Sequence, residues 1–306
     1  MIETVVVYFI NEGYLLPAMV SAIQARKFSS RELIDVVIVC ATDTPSNSRE
    51  AISVAAQHGV EIVCHPLSVL EGRLPTFGRL IIHKLLPSKY KRLIYIDGDT
   101  QITGALDPLA TAPLASGMFM AARDPGELFA RISRGWRNTI EGHYRSGGYT
   151  GAFEAYFNAG VLVINREGWH DLSERTLALY DHAKATKHLD QDLMNRALSD
   201  HCIRISNRWN FPGFLIGSPM EKAVKPVIYH FMSNPRPWNE AVIPWGQQWM
   251  LPYDRLLAEN PTLGFLKPKG RTLKKRLKYL LMMHYKCATE YRQVGQMAEL
   301  PPEINL

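Results

Sequence analysis

The feature that most constrains this chain is a succession of short, almost uninterrupted apolar runs: TVVVYFI (4–10), DVVIVC (35–40), VEIVC (60–64) and RLIYI (92–96). They are rich in β-branched residues and do not alternate polar with apolar positions, as expected of strands covered on both faces. Segments with helical spacing lie between them, from Leu16 to Ala25, Ser46 to His58 and Thr76 to Leu86. Strand and helix in regular alternation predict an open α/β sheet wound by right-handed crossovers. Three later runs, MFMAA (118–122), GVLVIN (160–165) and PVIYH (226–230), are further strand candidates.

Open α/β sheets bind ligands beyond the carboxyl ends of their strands. Asn11, Glu12, Asp97 and Asp99 all fall just after predicted strand ends, which makes a nucleotide cleft plausible on topology alone. Neither a G-x-G-x-x-G sequence nor a Walker sequence follows the first strand, so the usual glycine-rich phosphate loops are excluded as the basis of that cleft. The stretch RLIYIDGDTQITGALDPL (92–109) instead ends an apolar strand on two carboxylates separated only by Gly98. Both can turn toward one ion if the chain bends at the glycine, and hard divalent cations take oxygen ligands while leaving places for water and phosphate. Asp-Gly-Asp also occurs in simple turns and calcium loops, so its companions decide between these readings.

The companions are YFNAGVLVINREGW (156–169), LDQDLMNRAL (189–198) and YHFMSNPRPW (229–238). Together with YIDGD, and in this order, they resemble the family-8 retaining glycosyltransferases, which include bacterial lipopolysaccharide galactosyl- and glucosyltransferases. The resemblance runs from the first strand to Trp238. It implies a nucleotide-diphospho-sugar transferase (GT-A-like) fold, an open mixed α/β sheet with a Rossmann-like N-terminal half. It also implies a UDP-sugar donor and Mn²⁺, with Mg²⁺ as the alternative ion.

Residue by residue, the resemblance implies the following roles. Asp97 and Asp99 match the D-x-D whose carboxylates bind the ion together with the donor diphosphate. His230 matches the histidine that supplies the third protein ligand; alone it would read as a core histidine after a strand. Arg236 stands where the family usually has Lys, and its guanidinium suits a diphosphate through a bidentate fork. Ser233 stands where the family usually has Gly. Asn11, Glu12 and Tyr14, in FINEGYLLP, occupy the place of the residues that grip uracil and ribose. Arg79 matches the basic residue that precedes the metal motif and reaches the donor; the alternative is an exposed helical arginine. Asn158 and Asp124 match contacts to the transferred sugar. Asp190 and Gln191 match the pair nearest the anomeric carbon, and Asp190 would also serve as N-cap of the helix that follows.

The 306-residue chain is 46% hydrophobic and 21% charged, an ordinary globular composition. Its four cysteines, Cys40, Cys64, Cys202 and Cys287, lie too far apart for a zinc site and read as free thiols. The net charge is +6, but seven basic residues between Lys267 and Lys278 carry it, leaving the remainder at about −1. That argues against a nucleic-acid-binding body. The expected division is a catalytic domain over 1–262 and a basic helical segment over 263–306. Within KPKGRTLKKRLKYLLMMHYK (267–286), Leu273, Leu277, Leu280 and Leu281 share helical spacing among lysines. Such a helix lies on an anionic membrane surface or docks on the protein with its lysines in water. The expected location is cytoplasmic, with peripheral contact at the inner face of the plasma membrane under the first alternative. The Arg- and Tyr-rich stretch from Arg131 to Tyr149 is the candidate for contact with a saccharide or glycolipid acceptor. Two other readings stay open on sequence: a metal-dependent nucleotide-sugar hydrolase and a non-catalytic nucleotide-sugar-binding protein.

Overall fold

A computed structural model describes residues 2–306. Ten strands form two sheets: β1 (Thr4–Asn11), β2 (Ile34–Ala41), β3 (Glu61–His65), β4 (Arg92–Ile96), β5 (Thr100–Ile102), β6 (Phe119–Arg123), β7 (Phe157–Asn165), β8 (Cys202–Ile205), β9 (Phe211–Pro212) and β10 (Ile228–His230). The main sheet has the order β3-β2-β1-β4-β7-β6-β8. Its first four strands are mutually parallel, as the alternation of strand and helix predicts. Strand β7 then runs antiparallel to both β4 and β6, so the whole sheet is mixed.

The near-continuous apolar runs are explained by a core on each face. Val6, Tyr8 and Ile10 of β1 enter one layer with the helix Leu15–Phe28, while Val5, Val7 and Phe9 enter the other with the helix Gly78–Leu85. Burial on both faces is worth roughly 1.5–3 kcal/mol for each large apolar side chain, so every position of β1 from Val5 to Ile10 carries an aliphatic or aromatic side chain. Gly78 is required where its helix crosses β1, because a Cβ there would lie 2.0 Å from the Phe9 ring.

A second sheet, β5-β10-β9, sits where the chain leaves β4. Strand β5 pairs antiparallel with β10, setting Thr100 opposite His230, and β9 pairs parallel with β10. The stretch after Phe119–Arg123, which is rich in Arg, Gly and Tyr, folds into the helices Gly126–Ala130 and Arg134–Ser146. Ser133 caps the second by accepting from the Trp136 N–H.

Residues beyond 262 contribute to the body of the fold. Leu263, Ile304 and Leu306 pack on the first core layer. Met283, Tyr291 and Val294 join the second sheet's aromatic cluster, with Tyr291 stacked on Phe214 at 4.7 Å. Glu299 accepts from the Ser206 hydroxyl and the Asn207 N–H. All four cysteines are free thiols. Among the described residues, no helix is long and apolar enough to cross a membrane.

Candidate active site

Two aspartates flank the step from the main sheet to the second one. Asp97 directly follows β4, and its N–H donates to the Gly160 carbonyl of β7 at 2.8 Å. Asp99 directly precedes β5, and its carbonyl accepts from the Phe231 N–H at 2.8 Å. The turn between them is held from below by buried hydroxyls. Thr100 donates to the Asp97 carbonyl at 2.9 Å, and its oxygen lies 2.7 Å from that of Ser21, which in turn meets Tyr8. Gly98 keeps an ordinary negative φ; its role is close packing, since a Cβ would lie 3.1 Å from Ile10 and 3.4 Å from Ala18.

Because β5 pairs with β10, His230 lies against this turn. Its Nε2 is 3.2 Å from Asp99 Oδ1 and 3.8 Å from Asp97 Oδ2. Asp97, Asp99 and His230 each offer a ligand atom, and the three lie within 4.8 Å of one another. Each carboxylate has its other oxygen tied down. Asp97 Oδ1 accepts from Arg79 at 3.0 Å and from the Tyr95 hydroxyl at 2.7 Å. Asp99 Oδ2 lies 2.9 Å from the Arg236 guanidinium. Burial alone would raise the Asp99 pKa, but His230 and Arg236 outweigh it and hold the group at about 2. Two carboxylates and one imidazole, converging and otherwise anchored, fit a six-coordinate Mn²⁺ or Mg²⁺ with positions left for phosphate and water.

Arg79 is not the exposed helical arginine that its sequence position allowed. It is 7% exposed, donates to the Ala159 carbonyl, and sets Nε 3.0 Å from Asp190 Oδ2 while bonding Asp97. Asp190 does not act as a helix cap. It is the first helical residue, and Leu189 before it adopts a positive φ of 47°, a strained conformation for leucine. Asp190 thereby faces the cleft, where burial raises its pKa to about 6 even though Arg79 opposes the shift. Its helix is clasped to the head of β7 by Asn195, which accepts from the Phe157 N–H and donates to its carbonyl, each at 2.8 Å.

The predicted sugar contacts form one network. Asp124 Oδ2 accepts from Asn158 Nδ2 and Gln191 Nε2, each at 3.0 Å, and Asp124 Oδ1 accepts from the Gly126 N–H at 2.8 Å. Gln191 also accepts from the Ala159 N–H at 3.0 Å.

A cavity of about 980 Å³ opens at this place. Asn11, Tyr14, Arg79, Asp124, Asn158 and Asp190 line it, as do Gln191, Arg236 and the three converging side chains. Its far wall carries Phe129, Trp136, Ile140 and His143 from the two inserted helices, and Lys286 and Tyr291 from the C-terminal segment. Two predicted contacts fall outside. Glu12 is drawn away by the Thr42 and Thr44 hydroxyls at the end of β2, and Ser233 leaves its place on the wall to its neighbour Met232. Asn11 lines the cavity, with its Oδ1 accepting from the Gly13 N–H at 3.1 Å, so its amide N–H₂ is the group left to offer.

Sequence reasoning missed Tyr95 and Asn210. Tyr95 had a readable signal, since a residue two before Asp97 on a strand shares its face. Asn210, whose Oδ1 lies 2.9 Å from His230 Nδ1, had no local signal in RWNFPG.

The geometry also explains the glycine of FNAG. A Cβ on Gly160 would lie 2.3 Å from His230 Cε1 and 2.6 Å from its Nδ1, so any side chain there must displace the imidazole. Gly160→Ala is expected to weaken Mn²⁺ binding at least roughly tenfold by isothermal titration, with the circular dichroism spectrum retained. Unchanged affinity would show that the ring position is not what holds the ion.

Comparison with known proteins follows the same lines. Over 224 residues the chain is 24% identical to the lipopolysaccharide glucosyltransferase WaaO of Escherichia coli (strain K12), covering 68% of this chain and 62% of that protein. Among solved structures, the bifunctional glycosyltransferase WbbM superposes with a TM-score of 0.66 at 19% identity, covering 87% of this chain and 51% of that one. The galactosyltransferase LgtC, solved with donor and acceptor sugar analogues, superposes with a TM-score of 0.64 at 16% identity, covering 82% and 95%. These likenesses establish the GT-A fold. The chain spans about three fifths of the length of WaaO. Residues 5–241 match the family described as glycosyl transferase family 8, and the chain belongs to that family.

Proposed function

We propose that this chain transfers a hexose, glucose or galactose, from a UDP-sugar to a saccharide acceptor in lipopolysaccharide or surface-glycan synthesis, with retention at the anomeric carbon. The observation that carries this reading is the convergence of Asp97, Asp99 and His230 in a cavity that also presents Arg236, Asp124, Asn158, Asp190 and Gln191. A divalent cation held by the first three would offset charge on the diphosphate as it leaves.

The remaining chemistry belongs to the chain's own groups. Asn11, the last residue of β1, and Tyr14 just after it would receive the nucleoside in this reading. Arg236 presents a fixed cation where the diphosphate would lie, stabilising charge that grows as the sugar–oxygen bond breaks. Asp124 and Asn158 offer an acceptor and a donor to sugar hydroxyls, which orients the ring. Asp190 is paired with Arg79 and buried, which suits it to stabilising positive charge at the anomeric carbon more than to attacking it. We therefore favour front-face attack by the acceptor hydroxyl. The aromatic far wall, including Phe129, Trp136 and Ile140, is the acceptor side in this reading.

A second proposal concerns the helix Leu273–Lys286. Met283 is buried, but Leu273, Leu277, Leu281 and Tyr285, spaced four residues apart on one stripe, are 81%, 53%, 62% and 67% exposed. Lys274, Lys275 and Lys278 accompany them, each able to add roughly 1 kcal/mol of attraction to an anionic bilayer. The helix would lie on the membrane beside the cavity, to which Lys286 contributes, and so bring a glycolipid acceptor within reach.

The transfer is tested by incubating the protein with Mn²⁺, acceptor glycan and a panel of UDP-hexoses, following both UDP and product. UDP release that depends on acceptor, and that Asp99→Asn abolishes, is expected. Release of free hexose without acceptor would indicate a hydrolase, and binding without release a non-catalytic module. Membrane contact is tested by flotation with phosphatidylglycerol vesicles. The Leu277→Glu/Leu281→Glu variant changes only exposed positions and is expected to lose binding at an unchanged melting temperature; equal flotation of both proteins would overturn it.

A further inference from the structure

The hydrogen-bond roles around His230 can be worked out from groups that have only one role to play. The Gly160 N–H can only donate, and it lies 3.0 Å from one side-chain atom of Asn158, which must therefore be the carbonyl oxygen. The other Asn158 atom, its N–H₂, then faces the Asp124 carboxylate at 3.0 Å, an acceptor-only partner that agrees with the assignment. Asn210 approaches the same Asn158 oxygen at 2.8 Å and must do so with its N–H₂. Its Oδ1 is left facing His230 Nδ1 at 2.9 Å, so that ring nitrogen carries the proton. Nε2 is then the nitrogen that faces Asp97 and Asp99, free to give its lone pair to an ion held between them.

Asn210 is 2% exposed and His230 4%, so water does not compete for these bonds. Asn210 stands immediately before β9, and β9 pairs with β10 at Tyr229 and His230. The relay is thus built across two neighbouring strands.

We propose that Asn210 is the positioning residue that makes His230 a metal ligand: by accepting from Nδ1–H it fixes both the tautomer and the ring orientation, and Asn158 and Asp124 fix Asn210 in turn. Partners of this kind on a ligating imidazole change metal affinity by 10- to 100-fold when removed. The relay also joins two parts of the cleft, because the residues that orient the imidazole are those proposed to meet the transferred sugar. The inference rests on the metal reading above.

The test measures Mn²⁺ affinity by titration and imidazole coordination by electron spin-echo modulation on protein labelled with ¹⁵N-histidine. Wild type is expected to show one coordinated imidazole nitrogen, which His230→Ala removes. Asn210→Leu is expected to lose that signature and roughly 10- to 100-fold in Mn²⁺ affinity. Asn210→Asp keeps the acceptor facing Nδ1–H but sets a second acceptor against Asn158 Oδ1, so it is expected to retain the signature with a smaller loss of Mn²⁺ affinity than the leucine variant. A folded Asn210→Leu with wild-type affinity and coordination would overturn the proposal. So would wild-type affinity and coordination in a folded Asn210→Ala, which decides the matter if the leucine variant does not fold. Failure of the metal reading itself would appear differently, as wild-type protein in which Asp99→Asn leaves Mn²⁺ binding unchanged.

Discussion

The cleft depends on a three-residue strand pairing. Strand β5 meets β10 over only Thr100 to Ile102, yet that ladder is what sets His230 beside Asp99. The carbonyl of Asp99 extends it by one further bond to Phe231. So short a ladder is weak alone. It persists because Thr100 is tied through Ser21 to Tyr8 of β1, all fully buried, so that slipping the register would strand several polar groups without water. The main sheet thus holds Asp97, the second sheet holds Asp99 and the histidine, and a buried chain of hydroxyls locks one sheet to the other.

Around that junction, neighbouring carboxylates are held in different electrostatic states by different surroundings. Asp99 sits between His230 and Arg236 and stays ionised down to about 2. Asp190 is pushed up to about 6 by burial and by the Asp97 charge, against the opposing pull of Arg79. Arg79 links the two regions by bonding Asp97 while pairing with Asp190. A buried guanidinium paired with two carboxylates costs desolvation, which the two ion pairs and its hydrogen bonds to Asp97 and to the Ala159 and Thr76 carbonyls offset. Its effect is to keep two like charges of the cleft at fixed places relative to each other.

Much of this was legible in the sequence, for identifiable reasons. The parallel half of the main sheet could be read because its strands are covered on both faces, so that TVVVYFI and DVVIVC had to be apolar throughout. Asp97, Asp99 and His230 could be linked because four motifs recur in a set order, although no spacing rule joins residues so far apart. Strands β5 and β9 were missed because three and two residues carry no periodicity. The helices after Gly126 were obscured because their apolar residues, such as Phe129 and Ile140, are interspersed with Arg and Gly. Glu12 and Ser233 were placed by position in a motif, which does not reveal that Thr42 and Thr44 pull Glu12 aside. Asn210 could not be found at all before the fold was known, because its significance lies in a neighbour on another strand.

The central claim is that one divalent cation is held between two strands by Asp97, Asp99 and His230. The most direct test is anomalous diffraction from crystals grown with Mn²⁺ and UDP. The account predicts a manganese peak bounded by Asp97 Oδ2, the Asp99 carboxylate and His230 Nε2, with diphosphate oxygens completing the coordination. UDP bound in the cleft with no manganese at that point, or manganese held by other side chains, would contradict it.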